Sequence, residues 1–359
     1  MGEMTIHQAG FIYQVFVLLI VTLTPVHAWS LNNILSIVPR LIDDSYNKAN
    51  KTTLDSGYLR LKDSVAYGVM KALEECQYQF EWDLWNCSET PASLFSRSNR
   101  IKADRELAFL HAIGSAGVMY VVTKNCSQGM QEACSCDVSR NGLLGGSDWK
   151  WGGCSDNIGF GEHISRLVFL TTDTGRDAHA AMTTHNKQVG IQTLQKTTVL
   201  ICKCHGVSGS CTIRTCWRQL ADFRVAGNIL KKKYKKAQRV NFHNGELRRG
   251  NSARNVPLPL VSKSSLVYLS DSPNYCKIRH ANGMIGTQER QCIKPEKGVS
   301  VPKWQKKNCE RLCRDCGFQI RRETLQEMSK CSCKFRWCCT VTCKDCLKTV
   351  TKNFCHKEY

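Results

Sequence analysis

Residues 202–217 read CKCHGVSGSCTIRTCW and place four cysteines in one short segment. Cys202 and Cys204 are two residues apart, so in a strand both side chains would point to the same face. The pairs Cys202–Cys216 and Cys204–Cys211 are nearly symmetric about one centre, as antiparallel rungs must be, and the crossed pairs match less well. The segment therefore predicts a hairpin held by two nested disulfides, with one irregularity on the return strand.

The apex of this hairpin follows from its inner cysteine pair. The midpoint of that pair falls between Val207 and Ser208, which we therefore expect at the apex. Gly206 and Gly209 flank them, as a tight turn with positive φ would need. The segment thus predicts a rigid projection that holds the hydroxyl of Ser208 at its tip.

Three interpretations of this segment compete. The plainest is a disulfide-clamped turn in a secreted protein. The second is a zinc site, since the cysteines and His205 are residue types that bind zinc. The third is a hydrolase nucleophile, but the Gly-x-Ser-x-Gly pattern fails because Ser210 stands where the last glycine is required. His205 also has no acid in the loop to orient it, and an apical hydroxyl in water has no oxyanion hole.

The cysteine count and the N-terminus indicate the compartment. The chain has 359 residues, of which 22 are cysteines, enough for up to eleven disulfides (half of 22). Such a count indicates an oxidising compartment and disfavours a zinc site made of reduced thiolates. Residues 11–23 form a mostly apolar run, and Val26-His27-Ala28 resembles a cleavage site. We therefore expect residues 1–28 to be a signal peptide and the protein to be secreted; no later stretch is apolar enough to cross a membrane.

The pattern of residues along the chain predicts an α+β, disulfide-rich fold of two domains. Residues 29–250 have the pattern of a helical N-terminal domain, into which the hairpin of residues 202–216 is inserted. Glycine and proline break the pattern over residues 251–272, which we interpret as a linker. Residues 273–359 have few apolar residues and twelve cysteines, so disulfides must hold this cysteine-rich C-terminal domain together.

Apolar residues at intervals of three and four predict four helices in the N-terminal domain. These helices cover residues 55–76, 104–124, 161–187 and 218–238. The histidines of the third helix lack a convergent carboxylate, so we assign no catalytic residue there.

The C-terminal domain contains a second hairpin candidate at residues 331–346. The pairs Cys331–Cys346 and Cys333–Cys343 share a centre close to Cys338 and Cys339. These two adjacent cysteines cannot both join a cross-strand rung, so they are either free or bonded to each other. The tip displays an aromatic cluster typical of a binding anchor, unless the rest of the domain covers it. The displayed residues are Phe335, Trp337, Cys338, Cys339 and Val341.

Basic residues and sequons mark the surface. The net charge is +20, and residues 224–254 hold ten Lys or Arg and one acid, with KKKYKK at residues 231–236. A solvated helix face and a contact with heparan sulfate are equally good interpretations, and no nucleic-acid-binding motif accompanies the charge. Asn50, Asn86 and Asn125 each begin a glycosylation sequon.

The motif CKCHGVSGSC, followed by TCW at residues 215–217, resembles the signature of the Wnt family of secreted signalling glycoproteins. Residues 149–157, WKWGGCSDN, are similar to the same family, and the likeness is closest to the Wnt-8 subgroup. Residues Leu200 and Ile201, which precede the motif, are more apolar than is usual there. The resemblance favours Asn125 among the sequons.

The resemblance implies a lipid-modified receptor ligand rather than an enzyme. Ser208 would carry a mono-unsaturated fatty acyl ester and the chain would need no cofactor. The acylated tip and the tip around Trp337 would grip the cysteine-rich domain of a Frizzled receptor. An LDL-receptor-related coreceptor would bind elsewhere and start β-catenin signalling. Porcupine would acylate the chain, Wntless would carry it, and the protein would remain in the extracellular space and matrix, associated with cells.

The resemblance also implies how the cysteines pair. It joins Cys338 to Cys339 as a vicinal disulfide, and it supports the nested pairs in both hairpins. The remaining implied pairs are Cys76–Cys87, Cys126–Cys134, Cys136–Cys154, Cys276–Cys316, Cys292–Cys309 and Cys313–Cys355.

Overall fold

The structure is a computed structural model of the chain. It describes residues 56–88, 103–146, 148–170, 177–249, 259–278, 286–295 and 300–357. The predicted signal peptide and Asn50 lie outside these residues. The chain forms two compact units: Met1–Gln79 with Glu89–Ser272, and Phe80–Ser88 with Pro273–Tyr359.

Helices dominate the first unit. They are α1 (Ser56–Phe80), α2 (Arg105–Ser127), α3 (Ile158–Leu170), α4 (Ala178–Gln195) and α5 (Phe223–Lys235). The first two agree with the periodicity. The third predicted helix is instead two helices, α3 and α4, and the fourth begins later than predicted because its first residues belong to a strand.

Helix α2 forms the centre of the first unit. It begins after Asp104, whose carboxylate accepts a hydrogen bond from the Leu107 N–H at 2.9 Å. Its sequence is long and apolar enough to cross a membrane, but 89% of the apolar window is buried, as in the core helix of a globular protein. A Cβ on Gly117 would lie 2.5 Å from the Gly68 carbonyl oxygen, so glycine lets α1 and α2 approach closely.

Two small sheets complete the first unit. One consists of β1 (Trp149–Trp151), β2 (Thr198–Cys204) and β3 (Arg214–Leu220), in the order β1-β3-β2. The other consists of β4 (Gln238–His243), β5 (Glu246–Arg249) and β6 (Val267–Tyr268), in the order β5-β4-β6.

The interpretation of residues 251–272 as a linker is wrong for the described part, which begins at residue 259. Leu266 and Val267 are fully buried, and β6 pairs with β4. The amide of Asn186 on α4 donates to the Val267 carbonyl at 2.9 Å and accepts from its N–H at 3.0 Å. This segment belongs to the first unit because its apolar side chains are buried there and its backbone forms hydrogen bonds there.

Burial lowers the pKa of two histidines in the first unit. His111 on α2 is fully buried, and desolvation, then the charges of Lys187 and His179, lower its pKa well below the ordinary value. The pKa of His185 is also lowered by burial, partly offset by a hydrogen bond with the Ser265 carbonyl. Lowering the pH should therefore reduce the free energy of unfolding of this unit.

The second unit is a hairpin-based fold with a small core. Its elements are β7 (Gln291–Cys292), α6 (Lys303–Lys306), α7 (Asn308–Leu312), β8 (Gln319–Arg336) and β9 (Thr340–His356), and its sheet has the order β7-β9-β8. Half-cystines make up most of its core, as the scarcity of apolar residues predicts. The core residues are Cys292, Cys309, Leu312, Cys313 and Cys355.

The segment Phe80–Ser88 belongs to this second unit, although the sequence interpretation placed it in the first domain. The guanidinium of Arg290 donates to the carbonyls of Leu84 and Asp83 at 2.7 and 2.9 Å. The amide of Asn308 donates to the Trp82 carbonyl at 2.8 Å. Backbone carbonyls, which have no sequence signature, thus fix the segment.

The disulfides confirm nine of the predicted pairs. Both Cys76 and Cys87 are disulfide-bonded. The vicinal disulfide is wrong, because Cys338 and Cys339 are free and exposed. Both residues lie in the left-handed turn of the second hairpin, with φ of 67° and 79°, and their thiols are separate there. The other pairs are Cys126–Cys134, Cys136–Cys154, Cys202–Cys216, Cys204–Cys211, Cys276–Cys316, Cys292–Cys309, Cys313–Cys355, Cys331–Cys346 and Cys333–Cys343.

Candidate functional site

The first hairpin, β2 with β3, has the register that its cysteines predict. The strands pair without a shift from Thr198 opposite Leu220 to Cys204 opposite Arg214. Cys202 lies directly opposite Cys216 and is bonded to it. The predicted irregularity lies beyond the ladder, where the Cys204–Cys211 disulfide closes the loop.

The apex is a single turn at Val207–Gly209. The side chain of Val207 is 89% exposed. Ser208 has φ 57° and ψ 27°, and Gly209 has φ 77°. The expected positive φ at Gly206 is wrong, since its φ is −68°. Glycine is needed there for space instead: a Cβ on Gly206 would lie 2.0 Å from Ser210 Oγ.

The two serines of the loop differ in environment. Both are exposed, but Ser210 Oγ lies 3.3 Å from Thr212 Oγ1 and faces Gly206. Ser208 is exposed, and its hydroxyl has no hydrogen-bond partner among the described residues. A left-handed conformation costs a non-glycine residue about 1–2 kcal/mol. The hairpin therefore presents a free hydroxyl from a position where glycine would be more stable.

Zinc and hydrolase chemistry find no support in this loop. All four cysteines of the segment are in disulfides, so none can serve as a thiolate ligand. Among the described residues, no cluster of His, Cys, Asp and Glu has the geometry of a metal site. His205 is exposed and forms only a backbone hydrogen bond, from its N–H to the Ile213 carbonyl.

The second hairpin, β8 with β9, is long and contains one bulge. It pairs from Gln319 opposite His356 to Arg336 opposite Thr340, with a register shift between Cys331 and Lys334. Two residues of β8, including Ser332 with φ 47°, oppose one residue of β9 at the shift. The disulfide Cys333–Cys343 bridges the strands at this bulge.

The tip of the second hairpin exposes its predicted aromatic cluster. Trp337 is 95% exposed and stands in the loop with the free thiols of Cys338 and Cys339. Phe335 and Val341 lie directly opposite each other and are also exposed. No part of the described second unit covers these side chains.

The apolar surface continues down the hairpin beyond the residues that the sequence indicated. Met328 and Leu347 are paired across the strands and are 66% and 67% exposed. Leu347 and Val341 occupy alternate positions of β9, so both point to the same face. Asp345 interrupts the apolar positions on this face of β9, so the sequence has no clear period-two signal for the extension.

The basic cluster on α5 is only partly available to a partner. The side chain of Lys233 donates to the Ser264 carbonyl, and its pKa is lowered by burial and by the charge of Lys196. Lys232, Lys235 and Lys236 are exposed. Their side chains form no hydrogen bond or ion pair within the described residues.

The described sequons are half-buried at asparagine. Asn125 lies in the last turn of α2, and its amide donates to Ser64 Oγ at 2.7 Å. Asn86 lies in the segment that joins the second unit.

Comparisons with known proteins agree with this geometry. The family model described as the wnt family matches residues 47–356. The chain is 46% identical to Protein Wnt-8b of Danio rerio over 92% of this chain and 88% of that protein. It is 43% identical to Protein Wnt-8 of Xenopus laevis over 92% of this chain and 89% of that protein. Its structure is similar to a chain of the solved complex of human WLS with WNT8A, with a TM-score of 0.64, 39% identity, and coverage of 91% of this chain and 99% of that one.

Proposed function

Because this chain belongs to the Wnt family, we propose that it is a secreted ligand that binds the Frizzled cysteine-rich domain through its two stapled hairpins. Wnt proteins are signalling ligands and not enzymes, and the oxidised cysteines of the first hairpin fit that role. The observation that carries the proposal is the free, left-handed Ser208 at the tip of a hairpin with two disulfides.

The hydroxyl of Ser208 is the acyl acceptor in this proposal. An acyltransferase of the Porcupine type has clear access, because Ser208 is exposed and a Cβ placed on the next residue, Gly209, would meet nothing within 4 Å. Burying acyl methylenes is worth about 0.8 kcal/mol each, so a long mono-unsaturated chain supplies on the order of 10 kcal/mol in an apolar receptor groove.

The second hairpin supplies the other receptor contact. An exposed tryptophan flanked by a cross-strand Phe335–Val341 pair has the composition of a binding anchor. The adjacent thiols of Cys338 and Cys339 belong to the same tip. Recruitment of an LDL-receptor-related coreceptor by another surface would then begin β-catenin signalling.

A carrier is required before the receptor is reached. The free energy gained when a groove buries the acyl chain equals the cost of exposing that chain to water. Export therefore needs a carrier with an apolar site. In the solved complex of human WLS with WNT8A, a relative of this chain is in complex with WLS. This supports Wntless as the carrier.

Surface charge and glycans complete the proposal. The exposed lysines Lys232, Lys235 and Lys236 are suited to heparan sulfate and would retain the ligand in the extracellular matrix and at cell surfaces. Asn125 and Asn86 are proposed glycan sites, and Asn50 is a third outside the described residues. A mass shift on enzymatic deglycosylation that disappears in Asn125→Gln tests the favoured site.

The test of the proposal is binding to a panel of Frizzled cysteine-rich domains, paired with a β-catenin reporter. Secreted protein should bind at least one member and activate the reporter. Ser208→Ala should abolish both, while Thr212→Ala, a matched loss of a hydroxyl in the same loop, should retain them. Binding by Ser208→Ala at the wild-type level would contradict the proposal.

A further inference from the structure

The sheet that supports the first hairpin has a short additional edge. The Trp151 N–H donates to the Leu143 carbonyl at 2.8 Å, and Leu144 pairs with Lys150 as an antiparallel bridge. Lys150 in turn pairs with Thr215, and Thr215 pairs with Lys203. Leu144, Lys150, Thr215 and Lys203 therefore form one row across four neighbouring chain segments.

One face of this sheet is open to solvent. Side chains paired across strands point to the same side, and side chains two positions apart share that side. The row therefore shares its face with Val199, Ile201, Ile213 and Trp217. On the opposite face of β3, Cys216 and Leu220 are buried. We call the open side the outer face, and its exposed members are Leu144, Lys150, Val199, Ile201, Lys203 and Ile213.

The outer face combines apolar side chains with unpaired positive charge. Leu144 is 73% exposed and Ile213 is 65% exposed, so the outer face presents large aliphatic side chains to solvent. The side chains of Lys150 and Lys203 form no hydrogen bond or ion pair within the described part of the chain. Asp148 is the carboxylate closest to Lys150 in the sequence, but it forms an ion pair with Arg214. Arg214 points to the opposite face of β3.

We propose that the outer face docks on the surface of a bilayer that contains anionic phospholipids. The apolar side chains would enter the boundary between headgroups and acyl chains, and Trp217, half-buried beside them, has the amphipathic ring that favours this depth. The two lysines lie about 10 Å apart, at two strand spacings, and would contact anionic headgroups.

The face also answers a physical need of a lipidated protein. A single acyl chain gives only marginal membrane anchoring, and stable anchoring takes a second signal such as a basic patch. Val199, Ile201, Lys203 and Ile213 of the outer face belong to the same hairpin as Ser208, so the face and the acyl chain would reach one membrane. Where it invokes the acyl chain, this inference rests on the proposed function; the face itself acts through its own side chains.

The experiment measures binding of full-length protein to phosphatidylcholine vesicles with and without phosphatidylserine. Each lysine near an anionic surface contributes about fivefold in affinity, so Lys150→Gln with Lys203→Gln should weaken binding to phosphatidylserine vesicles by up to about 25-fold. Binding to pure phosphatidylcholine should not change. Lys150→Arg with Lys203→Arg should restore the wild-type affinity, which excludes a folding defect.

The matched control removes the same charge from α5, as Lys232→Gln with Lys235→Gln. An equal loss in this control would show that net charge alone drives binding and would overturn the proposal. Unchanged vesicle binding by Lys150→Gln with Lys203→Gln would also overturn the proposal. This holds even if that variant loses receptor binding. A second variant, Leu144→Ser with Ile213→Ser, should weaken binding to both vesicle types.

The same assay separates this inference from the proposed acylation. Ser208→Ala should lower binding to both vesicle types while leaving the dependence on Lys150 and Lys203 intact. If Ser208→Ala changes nothing, acylation at that residue fails and the lysine dependence still decides the outer face.

Discussion

Replacing Trp337 by alanine should separate receptor binding from folding. The side chain is 95% exposed in the unbound protein, so its removal deletes almost no buried surface. The free energy of unfolding should therefore change by less than about 0.5 kcal/mol. In a complex, a tryptophan buries about 150–250 Å², worth roughly 4–6 kcal/mol at 25 cal/mol per Å² as an upper bound. Central aromatic anchors typically cost 2 kcal/mol or more on truncation, so Kd should rise at least about 30-fold.

The assay is equilibrium binding of purified Trp337→Ala to an immobilised Frizzled cysteine-rich domain, with the amount secreted and the melting temperature measured beside it. Leu347→Ala is the matched control, because Leu347 is also exposed on the second hairpin but lies away from the tip. Its effect on Kd should be smaller than that of Trp337→Ala. Normal binding by Trp337→Ala would refute the anchor. Failed secretion with a lowered melting temperature would show that Trp337 is a packing residue.

Three further predictions concern charge, protonation and packing. Replacing Lys232, Lys235 and Lys236 with glutamine should lower the salt concentration needed for elution from heparin, because exposed charges act through a screened field; unchanged elution would leave a merely solvated helix face. Because the pKa of His111 is lowered in the folded state, the unfolded state binds more protons below about pH 6.5. The melting temperature should therefore decrease when the pH is lowered from about 7.5 to about 5.5. His111→Gln should make the melting temperature less dependent on pH. A Cβ on Gly117 would lie 2.5 Å from a backbone oxygen, so Gly117→Ala should cost about 1–3 kcal/mol of stability by thermal melting, whereas Gly159→Ala, with its nearest contact at 3.9 Å, should cost nothing.

The cysteine pattern predicted the hairpins well because it fixes register. A disulfide rung requires its two residues to lie near each other across a ladder, so two nested pairs define both the strands and the turn. The predicted pairing of Cys202 opposite Cys216 is therefore observed. The same reasoning placed Ser208 at the apex and Trp337 at the second tip.

Local conformation and long-range contacts were less predictable. The left-handed residues are Ser208 and Gly209 and not Gly206, where glycine is needed because Ser210 leaves no space for a Cβ. Strand β6 is only two residues long, too short for a periodic signal, and the amide of Asn186 holds it in place. The hydrogen bond from Lys233 to the Ser264 carbonyl could not be predicted from the sequence, since it joins distant parts of the chain.

Acyl attachment at Ser208 is the central claim, and metabolic labelling with an alkyne fatty acid tests it most directly. The label should be lost in Ser208→Ala and in Ser208→Gly, which removes the hydroxyl while suiting the left-handed backbone. Ser210→Ala should keep the label, because the Ser210 hydroxyl already contacts Thr212 Oγ1 and lies outside the apical turn Val207–Gly209. Label retained in both Ser208 variants and lost in Ser210→Ala would contradict the account.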